Sequence, residues 1–115
     1  MSEIKDWKTA LNEIKKKTGE LVDSAPELGN FLKFVQSAEE PKALDTKTKE
    51  LISLAIAVVV RCEPCILWHT EAAINAGATE EEILDTLKVA VVMGGGPALM
   101  YAVKAYEIAK EFLKK

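Results

Sequence analysis

From Leu51 to Val60 the chain reads LISLAIAVVV, ten residues of which Ser53 alone is polar, and any fold it adopts must bury much of this stretch. The three valines at its end, Val58 to Val60, would suit a strand, because branching at Cβ restricts their side chains. The length of the run and the helical patterning on both sides of it decide for a helix. A helix apolar almost all round offers more surface than one layer of neighbours in a small domain covers, so part of it is expected at a contact between subunits. The run is about half the ~20 residues of a membrane span and is read as a buried helix, with no membrane partner expected.

The rest of the chain is patterned for helices as well. Ile4, Trp7, Leu11 and Ile14 recur at helical spacing and predict a first helix from about Ser2 to Gly19. Ser24-x-x-Glu27 has the form of a capping box, and Leu28, Phe31, Leu32 and Val35 carry a second helix to about Ser37. Residues 38–44 contain Pro41 and show no period, which predicts a connecting loop. Asp45 is a fitting N-cap for the third helix, which passes through Glu50 and the apolar run to about Arg61.

A fourth helix is expected from about Pro64, through Ile66, Trp68, Ala72 and Ile74, to a stop at Gly77. Thr79-x-x-Glu82 is a second capping box; the helix behind it carries Ile83, Leu87, Ala90 and Val91 until Gly94-Gly95-Gly96-Pro97 breaks it. That glycine run could receive an anion, but a tight interhelical turn needs the same residues and is the preferred reading. A sixth helix spans about Ala98 to Leu113, with Leu99, Val103, Tyr106 and Phe112 on its apolar side. The expectation is an all-α, compact array of about six helices forming one domain over residues 1–115, without internal repeats.

A net charge of -3 supplies no cationic field for a polyphosphate backbone, so nucleic-acid binding is not expected. The lysine clusters Lys15–Lys17 and Lys114–Lys115 are flanked by acids and read as solvated helix ends. The first residues, MSEIKDWKTALNEIKKK, are charged every few positions and lack the apolar core of a secretory leader, so the expected compartment is the reducing cytoplasm. Two cysteines three apart in such a chain point to catalysis or metal binding more than to a structural crosslink.

Both cysteines and the single histidine fall in Arg61-Cys62-Glu63-Pro64-Cys65-Ile66-Leu67-Trp68-His69. On a helix, His69 lies ~6 Å along the axis from Cys65 and on the same face, whereas Cys62 is ~10 Å away, so His69 serves Cys65 directly. Pro64 suits the first helical position, which leaves both sulfurs near unpaired N–H groups and the positive end of the helix dipole. Such placement lowers a thiol pKa from ~8.5 towards the range ~3.5–7.5 and makes a nucleophile available at cellular pH. The second cysteine can then close a disulfide.

Other readings of these residues stay open. Small cysteines and a lone histidine are also ordinary core residues. Two thiolates and an imidazole could bind zinc, although the local pattern lacks a fourth ligand. Glu50, taken alone, is a solvated charge near a helix start. Trp68 and Met93 are most simply packing residues, though an aromatic beside a thiol could line a pocket for an apolar substrate.

Glu50, eleven residues, then Cys62-x2-Cys65-x3-His69 resembles the alkylhydroperoxidase D-like branch of the carboxymuconolactone decarboxylase family, and the likeness extends from about Leu44 to the last helix. The resemblance implies an all-α fold assembled as a homotrimer or homohexamer. It implies that Cys65 attacks a small organic hydroperoxide, that Cys62 resolves the sulfenic acid, and that His69 and Glu50 relay the proton, with no bound cofactor. It implies a dithiol reductant protein, lipoyl-bearing or thioredoxin-like. The peroxidase members carry a further histidine immediately before the second cysteine, where this chain has Pro64. General thiol–disulfide exchange by the same sulfurs is therefore the nearest alternative. The non-redox decarboxylase members generally lack the cysteine pair; a decarboxylase-like enzyme using His69 as general acid or base, and a metal-binding or structural module, are the further alternatives.

Overall fold

The computed structural model describes residues 6–114. Five helical elements follow one another: α1 (Trp7–Ser24), α2 (Leu28–Glu39), α3 (Thr46–Val59), α4 (Glu63–Asn75) and α5 (Glu80–Leu113). Three of them, α1, α3 and α5, begin at side-chain oxygen caps that satisfy otherwise orphaned N–H groups. The Thr9 and Thr48 amides donate to the carboxylates of Asp6 (3.1 Å) and Asp45 (2.8 Å). Thr79 and Glu82 exchange bonds in both directions, at 3.1 and 3.0 Å. The predicted caps at Asp45 and Thr79 are thus present.

The centre is α3 packed on α4 and α5, with α1 across α4 and α5 and α2 against α3. Leu11, Leu54, Val58, Ile66, Leu67, Ile83 and Ile108 are fully buried there. Each such side chain contributes roughly 1.5–3 kcal/mol through removal from water. Ala57, Ala73, Ala90, Ala98, Ala105 and Ala109 fill the gaps between them and let the helix axes come close. α2 contributes no buried residue.

Several boundaries differ from the sequence expectation. α1 continues a full turn beyond Gly19, because Leu11, Ile14, Thr18 and Val22 form one inward stripe and Gly19 lies on the solvent side, where its weak propensity is tolerated. Ser24 is therefore the last residue of α1 and caps nothing in α2. The cap position of α2 is Glu27, itself in helical conformation without a side-chain cap bond. The amides of Leu28 and Gly29 bond to the carbonyls of Ala25 and Pro26, and α2 grows from that turn. It also runs to Glu39, into the stretch expected to be loop. Ser2 and Ile4 lie outside the described residues.

The expected fifth and sixth helices are one element, α5, interrupted only at Gly95 (φ 71°, ψ -154°). The chain nevertheless folds back there. The Tyr106 hydroxyl donates to Glu80 at 3.1 Å, whereas a straight helix would hold residues 26 apart ~39 Å from each other. The turn is so short that helical geometry runs up to it from both sides. Pro97 sits at the start of the second arm, where no N–H is needed. A Cβ on Gly94 would stand 2.6 Å from the Ala98 Cβ and 3.4 Å from Val59, so the turn also needs bare backbone against α3.

By length and composition α5 is the one described helix apolar enough to cross a bilayer, a stretch that the sequence pattern divides at its glycines; the reversal at Gly95 shares it between two arms. Ile52 and Ile56 on α3, Val60 at its C-cap, and Val92, Met93 and Met100 on α5 are turned to solvent in the single chain. The all-round apolar character of α3 thus exceeds what its own neighbours cover.

Candidate active site

The junction of α3 and α4 is a single tight corner. Arg61 takes a left-handed conformation (φ 61°), its amide donates to the Val58 carbonyl at 3.1 Å, and the Cys62 amide donates to Ala57 at 3.0 Å. This paired arrangement closes the C-terminus of α3. Gly77 (φ 102°) ends α4 in the same way, with its amide on Ile74 and that of Ala78 on Ala73, both 2.9 Å. Glycine adopts that backbone freely; arginine does so at a cost of roughly 1–2 kcal/mol.

Cys62, the last residue of that corner, is also the N-cap of α4. Its sulfur accepts the Cys65 amide at 3.3 Å, and its carbonyl receives the amide of Ile66 at 3.0 Å. Pro64 falls in the first turn, where its missing N–H leaves no orphan. Cys62 and Cys65 are joined as a disulfide, with Cα atoms 5.3 Å apart. Glu63, beside them, is held by Lys104 at 2.8 Å.

One turn further along α4, His69 Nδ1 lies 2.7 Å from Glu50 Oε1 of α3. Glu50 is only 5% exposed, and a carboxylate so placed needs such a partner. The four residues singled out in the sequence are therefore brought together as two bonded pairs on two adjoining helices.

A fifth residue joins them. Glu39, the last residue of α2, brings its carboxylate to Glu50 and His69 so that ligand atoms of all three lie within 4.8 Å of one another. Burial first, and the Glu50 charge second, push the Glu39 carboxyl above its ordinary value of 4.5, with His69 opposing. Within the cluster His69 and Glu50 are at hydrogen-bond distance, 2.7 Å, and the Glu39 carboxylate stands next to that pair. Glu39 was missed because residues 38–44 read as loop. The signal lay in the helical spacing of Leu28, Leu32, Val35 and Glu39, which puts the acid on the apolar face of α2.

Cys65, His69 and Glu39 open onto a groove of about 300 Å³. Ile14 of α1, Phe31, Leu32 and Val35 of α2, and Trp68 of α4 make its walls apolar. Trp68 lines this groove and is 37% exposed in the single chain, with Lys15 Nζ 5.7 Å from its ring centroid, in accord with the alternative of an aromatic beside a thiol. Cys62 does not line the groove. A wider groove of about 800 Å³ between the arms of α5 shares none of these residues.

The description "Carboxymuconolactone decarboxylase family" belongs to a family model that matches residues 26–107. A crystal structure of the apo form of a protein of that family from Legionella pneumophila superposes with a TM-score of 0.89 at 42% identity, over 94% of this chain and 97% of that one. A second family structure, from Thermotoga maritima and described with a suggested involvement in antioxidative response, gives a TM-score of 0.82 at 30% identity, over 89% and 88% of the two chains. A Cupriavidus necator protein named only as uncharacterized is 39% identical over 101 residues, which is 87% of this chain and 89% of its own length.

Proposed function

The chain belongs to the carboxymuconolactone decarboxylase family, and on that footing we propose that it is a dithiol peroxidase, reducing organic hydroperoxides through Cys62 and Cys65. The observation that carries the reading is the bonded cysteine pair at a helix start, one sulfur of which faces an apolar groove beside the His69–Glu50 pair.

In the reduced protein Cys65 is the attacking thiol, because it lines the groove and Cys62 does not. Glu50 engages Nδ1 of His69, which leaves Nε2 to take the Cys65 proton. The thiolate gains further stability from the amides at the start of α4. It attacks the outer oxygen of the hydroperoxide, the O–O bond breaks, and an alcohol departs while Cys65 becomes a sulfenic acid. Cys62 then attacks that sulfur, the S–S bond forms and water leaves. A dithiol reductant, lipoyl-bearing or thioredoxin-like, takes up the oxidising equivalents by exchange. The apolar walls favour an organic substrate over hydrogen peroxide. The uncovered faces of α3 and α5 support a homo-oligomer, trimeric or hexameric, which size-exclusion chromatography with light scattering tests.

The test is the intact mass of reduced protein before and after one equivalent of cumene hydroperoxide, with peroxide loss followed in parallel. Loss of two hydrogens matched to peroxide consumption supports the reading, and Cys65→Ser abolishes both. Pro64, which carries no proton beside Cys65, favours general thiol–disulfide exchange as the second reading. Under it, peroxide is ignored while a disulfide donor oxidises the pair quickly.

A further inference from the structure

Once an O–O bond breaks, the departing alkoxide needs a proton, because an alkoxide is a poor leaving group and its alcohol a good one. His69 is engaged as the base that deprotonates Cys65, and Glu50 is occupied with the other nitrogen of that ring. Pro64, on the same groove, has no proton to give. Glu39 remains: it is the one carboxyl group among the groove-lining residues, it stands at the end of α2 and shares the groove with Cys65 and His69, and its oxygen lies within 4.8 Å of ligand atoms of both Glu50 and His69.

We infer that Glu39 is the general acid of the peroxide step, delivering its proton to the alkoxide oxygen as Cys65 attacks; the inference rests on the peroxidase reading. The step balances. The Cys65 thiolate loses two electrons and bonds to the outer oxygen, the inner oxygen leaves with the electron pair of the broken O–O bond, and the Glu39 proton converts it to alcohol. The proton that His69 removed from Cys65 returns to Glu39 within the cluster, so each turnover leaves the three groups as they began.

The surroundings favour the protonated form of Glu39 more than water does. Burial and the neighbouring Glu50 charge raise the Glu39 carboxyl, and His69 is the one charge-bearing group of α4 that opposes them. α1 brings Ile14 and Thr18 to the groove, neither of them charged. From α3 comes Lys49 as well, whose Nζ is held by the Ala38 and Glu40 carbonyls at 2.9 and 2.7 Å.

The experiment compares reduced wild type with Glu39→Gln against two oxidants, reading Cys65 oxidation by rapid quench and intact mass. Cumene hydroperoxide must expel an alkoxide, whereas peracetic acid expels acetate, which needs no proton. With cumene hydroperoxide the variant is expected to be slower by about 100-fold or more, and with peracetic acid to stay within about twofold of wild type. Alkylation of Cys65 by iodoacetamide, also unassisted by an acid, should proceed as in wild type and reports an intact site. Equal losses with both oxidants, or no loss with either, overturn the assignment of Glu39 while wild-type oxidation still upholds the peroxidase reading. A wild type inert to both oxidants removes that reading, and this inference with it.

Discussion

His69 Nδ1 and Glu50 Oε1 meet at 2.7 Å across 19 residues of chain, one from the middle of α4 and the other from the first half of α3. The contact ties the orientation of the ring to the packing of the two most central helices. If the pair acts as a unit, Glu50→Gln and His69→Gln should each slow oxidation of Cys65 by an organic hydroperoxide about 10–100-fold, and the double variant should be no slower than the slower single. Rapid-quench rates at one pH decide this, and multiplied losses would mean that the two residues act separately.

Glu39 makes a prediction about stability that is separate from its chemistry. Its carboxyl titrates above 4.5 in the folded chain, so the folded state holds this proton more tightly than the unfolded one does. Its contribution is fully present below that ordinary value and is lost as pH rises through the higher folded value. Glu39→Gln has no such loss. Relative to wild type, the variant should gain stability as pH rises from about 4.5 through the higher folded value in urea denaturation. A difference that stays constant with pH would contradict the burial argument.

The glycines of the α5 turn should respond in three different ways. Gly95→Ala forces a side chain into a backbone region open essentially to glycine alone and should cost about 1–3 kcal/mol. Gly94→Ala drives a Cβ to within 2.6 Å of Ala98, so it should destabilise and be partly rescued by Ala98→Gly, which does nothing for the Gly95 variant. A methyl group on Gly96 would meet nothing within 4 Å, and its φ is ordinary, so Gly96→Ala should be neutral or stabilising by up to about 1 kcal/mol. Urea midpoints for the set check all three.

Thr70 is fully buried on α4, and its hydroxyl has no hydrogen-bond partner among the described residues. Thr70→Val keeps the shape and removes the stranded hydroxyl. It should raise the unfolding free energy by about 1 kcal/mol, seen as a higher melting temperature without loss of Cys65 reactivity.

Much of this architecture was legible where one residue answers one local need. Thr79 with Glu82, Asp45 and Gly77 each satisfy or release backbone groups at a helix end, and each stands where the sequence places it. Ser24 carried the same signal and failed, since the inward stripe of α1 continued through it and tertiary packing outweighed a local preference. Arg61 shows the converse. It occupies the position that glycine fills at Gly77, and no residue-type signal marks an arginine as left-handed. The Cys62–Cys65–His69 spacing was readable because a single helix turn sets it. Glu50 was not distinctive by itself, and Glu39 escaped notice altogether, because both reach the site across gaps in the chain that only the packing of α2 and α3 closes.

The division of labour around α2 has a longer consequence. This helix buries none of its residues, yet it supplies the groove with Phe31, Leu32, Val35 and Glu39. Substitutions along it can reshape what the groove accepts without disturbing the core that holds the sulfurs in place. If the proposed chemistry at Cys65 holds, lineages of this chain are free to drift in selectivity while it stays constant, and comparison of α2 sequences should sort relatives by substrate sooner than comparison of the cysteine motif.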